Sequence, residues 1–144
     1  MSATVQVDTL DLWQERVSLL VENVRKWAVD LGWSTKPIEK KLDDAELGRH
    51  IVPALVMQKN TTRILLEPYA RKTLDSDGSV DLYLLPTYDD LASLYHDQNG
   101  WRVHYMFPGT PPVSTLKDAS PLPLTKDVFE TIVEEMVKNA SDVA

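Results

Sequence analysis

The sequence predicts an α+β protein with two layers, in which a five-stranded antiparallel meander sheet carries an N-terminal and a C-terminal helix on one face. Near each end of the chain, apolar residues recur at steps of three and four, which is the spacing of one helix face. Between those segments the apolar residues form short runs separated by turn residues, as consecutive strands do. The length of 144 residues is usual for one domain, so we expect residues 1–144 to form a single globular unit.

The first helix is predicted over residues 9–31. Asp8 or Thr9 is a suitable N-cap, and Gly32 is a suitable end. The polar face carries both signs of charge, so we interpret this segment as a helix that packs on a core and not as a membrane-surface helix. Its apolar face consists of Leu10, Trp13, Val17, Leu20, Val21, Val24, Trp27, Ala28 and Leu31.

The strands are predicted within residues 51–107. Residues 34–50 are polar and contain Pro37 and Gly48, so they are expected to form a connection with at most one helical turn over residues 42–47. The segments that alternate or run apolar, and that we therefore predict as strands, are 51–58, 63–69, 79–85, 91–98 and 101–107.

A tight turn is predicted at Asn99-Gly100, since this dipeptide is typical of a type I′ hairpin with positive φ at both residues. The turn implies that Trp101 lies on the core face and is largely buried. The pairs predicted on the core face are Gln98 with Trp101, His96 with Val103, Leu94 with Tyr105 and Ala92 with Phe107. The pairs predicted on the other face are Asp97 with Arg102, Tyr95 with His104 and Ser93 with Met106.

The last third of the chain is predicted to be a proline-rich connection followed by a helix. Residues 108–123 contain five of the nine prolines and are expected to cross the domain surface. The second helix is predicted over residues 126–139, with Thr125 as N-cap and with Leu124 and Phe129 as a hydrophobic staple.

Two acidic segments resemble metal sites in spacing but are interpreted as turns. Residues 73–84 place three aspartates at calcium-loop positions, yet Thr73 and Leu84 stand where the loop needs an acid and a bidentate Glu. Asp77-Gly78 is predicted to be a two-residue hairpin turn instead. The aspartates of the TYDD run at 87–90 are likewise predicted to turn the chain.

No familiar catalytic signature is present in the sequence. The chain has no GxSxG, HExxH, GxGxxG or Walker pattern. The predicted register separates His96 from His104 across the sheet, and His50 lies in a separate connection, which argues against a zinc site of three histidines. We expect no catalytic residue, no metal and no cofactor, and these observations favour a non-enzymatic protein.

Composition limits the partners and the compartment. The net charge of −7 is not offset by a cluster of Lys and Arg, which disfavours nucleic acid as a partner. We expect no membrane association, because no segment reaches the apolar length of a bilayer crossing and no signal peptide precedes the first helix. The absence of cysteine excludes disulfides and thiolate sites, and a cytoplasmic location is expected.

The non-core face of the predicted sheet is the candidate recognition surface. Tyrosine and arginine are enriched in interface hot spots, so the first hypothesis is an interaction or accessory module that binds another protein there. The alternative is a ligand-binding protein or enzyme with a pocket between sheet and helices, where His96 and Tyr105 would be the polar groups. The candidate recognition residues are Tyr83, Tyr95, Asp97, Arg102 and His104.

The run from Asp81 through Phe107 resembles uncharacterised bacterial proteins of similar length. This resemblance covers the middle part of the chain and implies no activity. It therefore adds no functional residue to those named above.

Overall fold

The structure is a computed structural model that describes residues 2–72, 77–86, 89–105 and 122–143, with the backbone alone for residues 2–8, 89–91, 105 and 141–143. The strands form one antiparallel sheet whose order follows the chain. The α+β class and the antiparallel meander are confirmed, but five strands is wrong because the described residues form seven. The elements are α1 (Ser2–Asp30), β1 (Ser34–Asp44), β2 (Gly48–Lys59), β3 (Thr62–Ala70), β4 (Ser79–Leu85), β5 (Asp89–Asp97), β6 (Gly100–Tyr105), β7 (Leu122–Pro123) and α2 (Lys126–Val143).

Strand β1 occupies most of the segment that was predicted to be a connection. It pairs with β2 along its whole length, from Ser34 opposite Gln58 to Asp44 opposite Gly48. Its sequence is polar and contains Pro37, and most of its side chains are exposed. Such a composition suits an edge strand, since charge and proline hinder pairing with further chains. The prediction of a connection over residues 34–50 was wrong because it relied on the absence of alternating apolar residues, which an edge strand does not require.

The remaining boundaries also differ from the predictions. Helix α1 begins at Ser2 and not at residue 9, and helix α2 continues to Val143 beyond the predicted residue 139. The predicted cap of α2 is confirmed, because the Val128 amide donates to Thr125 Oγ1 at 3.2 Å. Within the predicted proline-rich connection, residues 122–123 form β7, and residues 108–121 lie outside the described residues.

The hairpin between β5 and β6 turns one residue earlier than predicted. Asp97 pairs with Gly100 and Leu94 pairs with Val103, so the turn residues are Gln98 and Asn99. Gly100 has a φ of 101°, whereas Asn60 is the one described non-glycine residue with a positive φ. A type I′ turn at Asn99-Gly100 is therefore wrong.

The error shifts the cross-strand pairs by two residues, which leaves every side chain on its predicted face. Leu94 and Val103 are both buried, as expected of the core face. Trp101 packs against the core but is only half-buried, not largely buried. The side chain of Tyr105, and all of Met106 and Phe107, lie outside the described residues.

Asp77-Gly78 does not form the predicted two-residue turn. Strand β3 ends at Ala70 and β4 begins at Ser79, and the two residues lie directly before β4. The Asp77 amide donates to the His96 carbonyl, and the His96 amide donates to the Gly78 carbonyl, each at 2.9 Å. They thus extend the pairing between β4 and β5. Residues 73–76 of the calcium-like segment lie outside the described residues, and Asp89 begins β5 instead of turning the chain.

The two helices flank the sheet and share its core. The Trp27 ring of α1 and the Phe129 ring of α2 contact each other, with ring centroids 5.9 Å apart. One cluster of buried side chains joins both helices to sheet residues such as Leu66 and Leu82. Among the described helices, none has the length and apolar character required to cross a membrane.

Candidate binding face

The side of strands β3 to β6 that points away from the helices carries polar and aromatic side chains. Alternation along each strand places Val80, Leu82 and Leu84 in the core, so Asp81 and Tyr83 point to the other side. We name the partly exposed polar side chains on that side the polar face, and the buried Leu65 of β3, opposite Tyr83, lies on the same side. The polar face consists of Glu67, Asp81, Tyr83, Ser93, Tyr95, Asp97, Arg102 and His104.

A row of polar side chains crosses the centre of this face. Glu67 of β3 lies opposite Asp81 of β4. Asp81 lies opposite Ser93 of β5, and Ser93 lies opposite His104 of β6. Directly opposite residues in an antiparallel sheet have Cβ atoms roughly 5 Å apart, so each member of the row is in reach of the next.

Two tyrosines flank this row, one on each side, and their hydroxyl groups contact members of the row. Tyr83 lies two residues beyond Asp81 on β4, and its hydroxyl donates to Asp81 Oδ2 at 2.9 Å. Tyr95 lies two residues beyond Ser93 on the antiparallel strand β5, and its hydroxyl is 3.1 Å from His104 Nε2. The Tyr95 and His104 rings also meet edge to face, with centroids 5.2 Å apart. Each ring is thus held by a lateral hydrogen bond.

The sequence predicted the contacts of Tyr95 with His104 and of Asp97 with Arg102, but as directly opposite pairs. In the structure Tyr95 lies opposite Arg102, so both contacts are diagonal. Arg102 Nε still reaches Asp97 Oδ2 at 3.2 Å. Both contacts form although the register differs from the predicted one, because long side chains reach diagonally across neighbouring strands.

The carboxylates in the row are close enough to affect each other. Burial raises the pKa of Asp81 and the Glu67 carboxylate adds to the rise, while hydrogen bonds from Tyr83 and Ser93 oppose it. Lys40 of β1 forms an ion pair with Glu67, with Nζ 3.4 Å from Glu67 Oε2. The Glu67 and Asp81 carboxylates repel each other, and an added cation beside them would relieve this repulsion.

Both tyrosines have a raised pKa, chiefly because they are partly buried. For Tyr83 the bonded Asp81 carboxylate adds to this effect. For Tyr95 the cation of Arg102 opposes it and the Asp97 carboxylate adds to it. Perturbed groups that gather on one surface are typical of functional sites.

The groups on this face are suited to binding a partner molecule. Among the described residues, no group of three or more His, Cys, Asp or Glu side chains is arranged to hold a metal ion. The hydroxyl groups, the Arg102 guanidinium and the carboxylates offer donors and acceptors, and the tyrosine rings offer apolar area.

His96, one of the residues of the alternative pocket, lies on the helix side of the sheet. Its ring meets Trp101 edge to face, with centroids 5.2 Å apart, and its buried Nδ1 atom has no hydrogen-bond partner among the residues that the structure describes. Burial lowers the pKa of His96, and the nearby Arg16 cation lowers it further, against the opposing effect of Asp77 and Asp97. His96 borders an open groove of about 420 Å³ between α1 and the β5–β6 hairpin, which we name the α1 groove. The side chain of Tyr105 lies outside the described residues.

The sequence placed Ser93 on this side of the sheet without naming it as a recognition residue, and it did not identify Glu67 or Lys40 as members of this surface. Asp81 is one of the three aspartates of the calcium-like segment, and its alternation with Val80 and Leu82 is a usable signal for the exposed side of a strand. Placing Glu67 and Lys40 on this surface requires the order of the strands in the sheet, and the sequence did not predict β1.

Comparison with known proteins finds no matching family model, no matching curated protein and no matching solved structure. The resemblance of residues 81–107 to bacterial proteins therefore stays an expectation from the sequence.

Proposed function

We propose that this protein is a non-enzymatic interaction module that binds another protein through the polar face. The observation that carries the proposal is that Tyr83 and Tyr95 are both partly exposed and both held by lateral hydrogen bonds. Ordering a side chain at an interface costs roughly 0.5–1.5 kcal/mol, so aromatic side chains that are ordered beforehand bind at lower cost. Tyrosine and arginine are also the residue types that most often dominate binding energy.

The proposed partner is a protein that presents a basic side chain to the central row. Glu67 and Asp81 face each other with Lys40 as the neighbouring cation, and burial disfavours the charged form of Asp81. A lysine or arginine from the partner would reduce this repulsion. The net charge of −7 supports a basic protein and disfavours nucleic acid, because it would steer the first and repel the second.

The setting that we propose for this interaction is the cytoplasm, on the sequence evidence of a chain without cysteine. The alternative pocket at His96 and Tyr105 is not proposed as a small-ligand site. His96 borders an open groove, and core side chains fill the contact between sheet and helices.

The test is capture from a native host lysate on the immobilised full chain, followed by binding measurements with the purified partner. Replacing Tyr83→Ala and Tyr95→Ala together should weaken the affinity at least tenfold, since truncating a hot spot costs roughly 2 kcal/mol or more. Replacing both with Phe keeps the rings and removes the hydroxyls, so it should cost less. Binding should also weaken as salt is added.

The matched control is Val29→Ala, which changes an exposed residue of α1 away from this face. A partner whose affinity is unchanged by the double alanine variant would contradict the proposal, as would a host lysate that yields no partner. Circular dichroism of each variant separates loss of binding from loss of fold.

A further inference from the structure

Helix α1 exposes two leucines beside the α1 groove. Leu12 and Leu19 are each 60% exposed, and both line this groove. They lie seven positions apart, about two turns or 10 Å along the helix, and therefore on the same stripe. His96 and the half-buried Trp101 line the opposite side of the groove. The surface thus contains a ridge of leucines and an adjacent recess, which is what a self-complementary contact requires.

The charged residues between the two leucines are also self-complementary. Glu15 is exposed and Arg16 is half-buried, and both line the α1 groove. In the part of the chain that the structure describes, neither takes part in an ion pair. Arg16 donates instead to the Asp77 carbonyl at 3.0 Å. Within the described ranges, the centre of the stripe therefore carries one charge of each sign that has no ion-pair partner.

An antiparallel pairing of α1 with a second α1 matches both features in one register. If Leu12 lies opposite Leu19 of a second copy, the two-fold axis passes between positions 15 and 16. That axis places Glu15 opposite Arg16 of the second copy, and the reverse pair forms by symmetry. The apolar pairs and the ion pairs therefore do not compete for register.

We propose that the occupant of the α1 groove is a second copy of this chain, and that two copies associate through α1 in this antiparallel register. The leucine ridge of each copy enters the recess beside Trp101 and His96 of the other. This interface lies on the helix side of the sheet and leaves the polar face open. The inference is independent of the proposed function, and either can fail alone.

Cysteine crosslinking tests the register directly, because the chain has no cysteine of its own. The Leu12→Cys and Leu19→Cys variants are prepared separately, mixed and oxidised under mild conditions. We expect the mixture to give a disulfide-linked pair of the two variants, at least tenfold faster than either variant alone links to itself. Faster self-linking of each variant alone would mean parallel packing and would overturn the proposal.

Sedimentation velocity of the wild type over roughly 1–300 μM measures the dimer dissociation constant. We expect a reversible dimer whose dissociation constant lies in this concentration range, as is typical of modest interfaces. Leu19→Glu should raise the dissociation constant at least tenfold, whereas the control Val29→Glu, at another exposed apolar site on α1, should not. Glu15→Arg should weaken association, and adding Arg16→Glu should restore it by exchanging the pair. A wild type that stays monomeric throughout, or a Leu19→Glu variant that still dimerises, would refute the proposal.

Discussion

Gly78 is required by a contact with a residue that is far away in the sequence. Its φ is not among the positive values in the described chain, so backbone freedom does not explain the glycine. A Cβ atom at this position would lie 2.8 Å from Cζ3 of the Trp13 ring. Trp13 is itself 1% exposed, and its Nε1 atom donates to His50 Nε2 at 3.1 Å. The indole therefore has little freedom to move away.

We expect Gly78→Ala to lower the free energy of unfolding by roughly 1–3 kcal/mol, the usual cost of forcing an extra methyl group into a packed site. Equilibrium urea unfolding measures the change. In a Trp13→Phe background the same substitution should cost less, since phenylalanine lacks the second ring of the indole. Equal costs in the two backgrounds would show that the clash is not with Trp13.

At the scale of elements, the polar edge strand β1 is attached to the sheet by more than its ladder with β2. Arg71, just after β3, binds Asp44 at the end of β1 with Nε to Oδ2 at 2.8 Å. Both side chains are 12% exposed. The Asp44 carboxylate also accepts the Glu46 and Leu47 amides in the turn to β2. The hydrogen bond from Arg71, helped by these amides, lowers the pKa of Asp44 to about 2.

The sign of the pH dependence follows from this shift. The folded pKa lies below the ordinary value of 3.8, so the stabilisation is fully present above pH 3.8 and is lost as the pH falls towards 2. A difference of one pKa unit between the folded and unfolded states corresponds to 1.36 kcal/mol, so the Asp44 carboxylate contributes about 2 kcal/mol to the unfolding free energy at neutral pH. Asp44→Asn, which keeps an acceptor for the amides, should lower the unfolding free energy at pH 7 by about that amount.

Urea unfolding of wild type and Asp44→Asn between pH 7 and pH 2 checks this prediction. The difference should stay constant down to about pH 4 and then shrink. Asp43→Asn is the control, since Asp43 is the exposed neighbour on the same strand. A difference that does not change with pH, or an equal effect of Asp43→Asn, would contradict the assignment to the Arg71 ion pair.

At the scale of the whole molecule, one cluster of buried side chains includes both helices and the sheet. Phe129 of α2 is 1% exposed and contacts Trp27 of α1. Because the same contacts hold the helices to each other and to the strands, we expect the described elements to unfold in one cooperative step.

Phe129→Ala should lower the unfolding free energy by roughly 3–5 kcal/mol, the usual cost of removing a buried aromatic ring. Tryptophan fluorescence and far-ultraviolet circular dichroism should still give coincident transitions in this variant. Thr131→Ala, an exposed change on the same helix, serves as the control. A separate early transition in circular dichroism would show that α2 unfolds independently of the sheet.

The sequence by itself determined the elements whose apolar residues repeat with a regular period. Both helices and the strands from β2 to β6 bury one side against the core, and the period of that side is visible in the chain. The faces of β5 and β6 were also predictable, since alternation survived an error of two residues in the pairing. For this reason Tyr95, Asp97, Arg102 and His104 were correctly brought together.

Only the tertiary structure decided the features that depend on which strands are neighbours. Strand β1 is polar because it lies at an edge, and its pairing with β2 comes from backbone hydrogen bonds that leave no apolar period. The row from Glu67 to His104 crosses four strands, so no local pattern contains it. The contact of Trp13 with Gly78 likewise joins a helix to a distant strand. Periodicity reports which side of an element is buried, whereas the identity of its neighbour is set by packing between segments far apart in the chain.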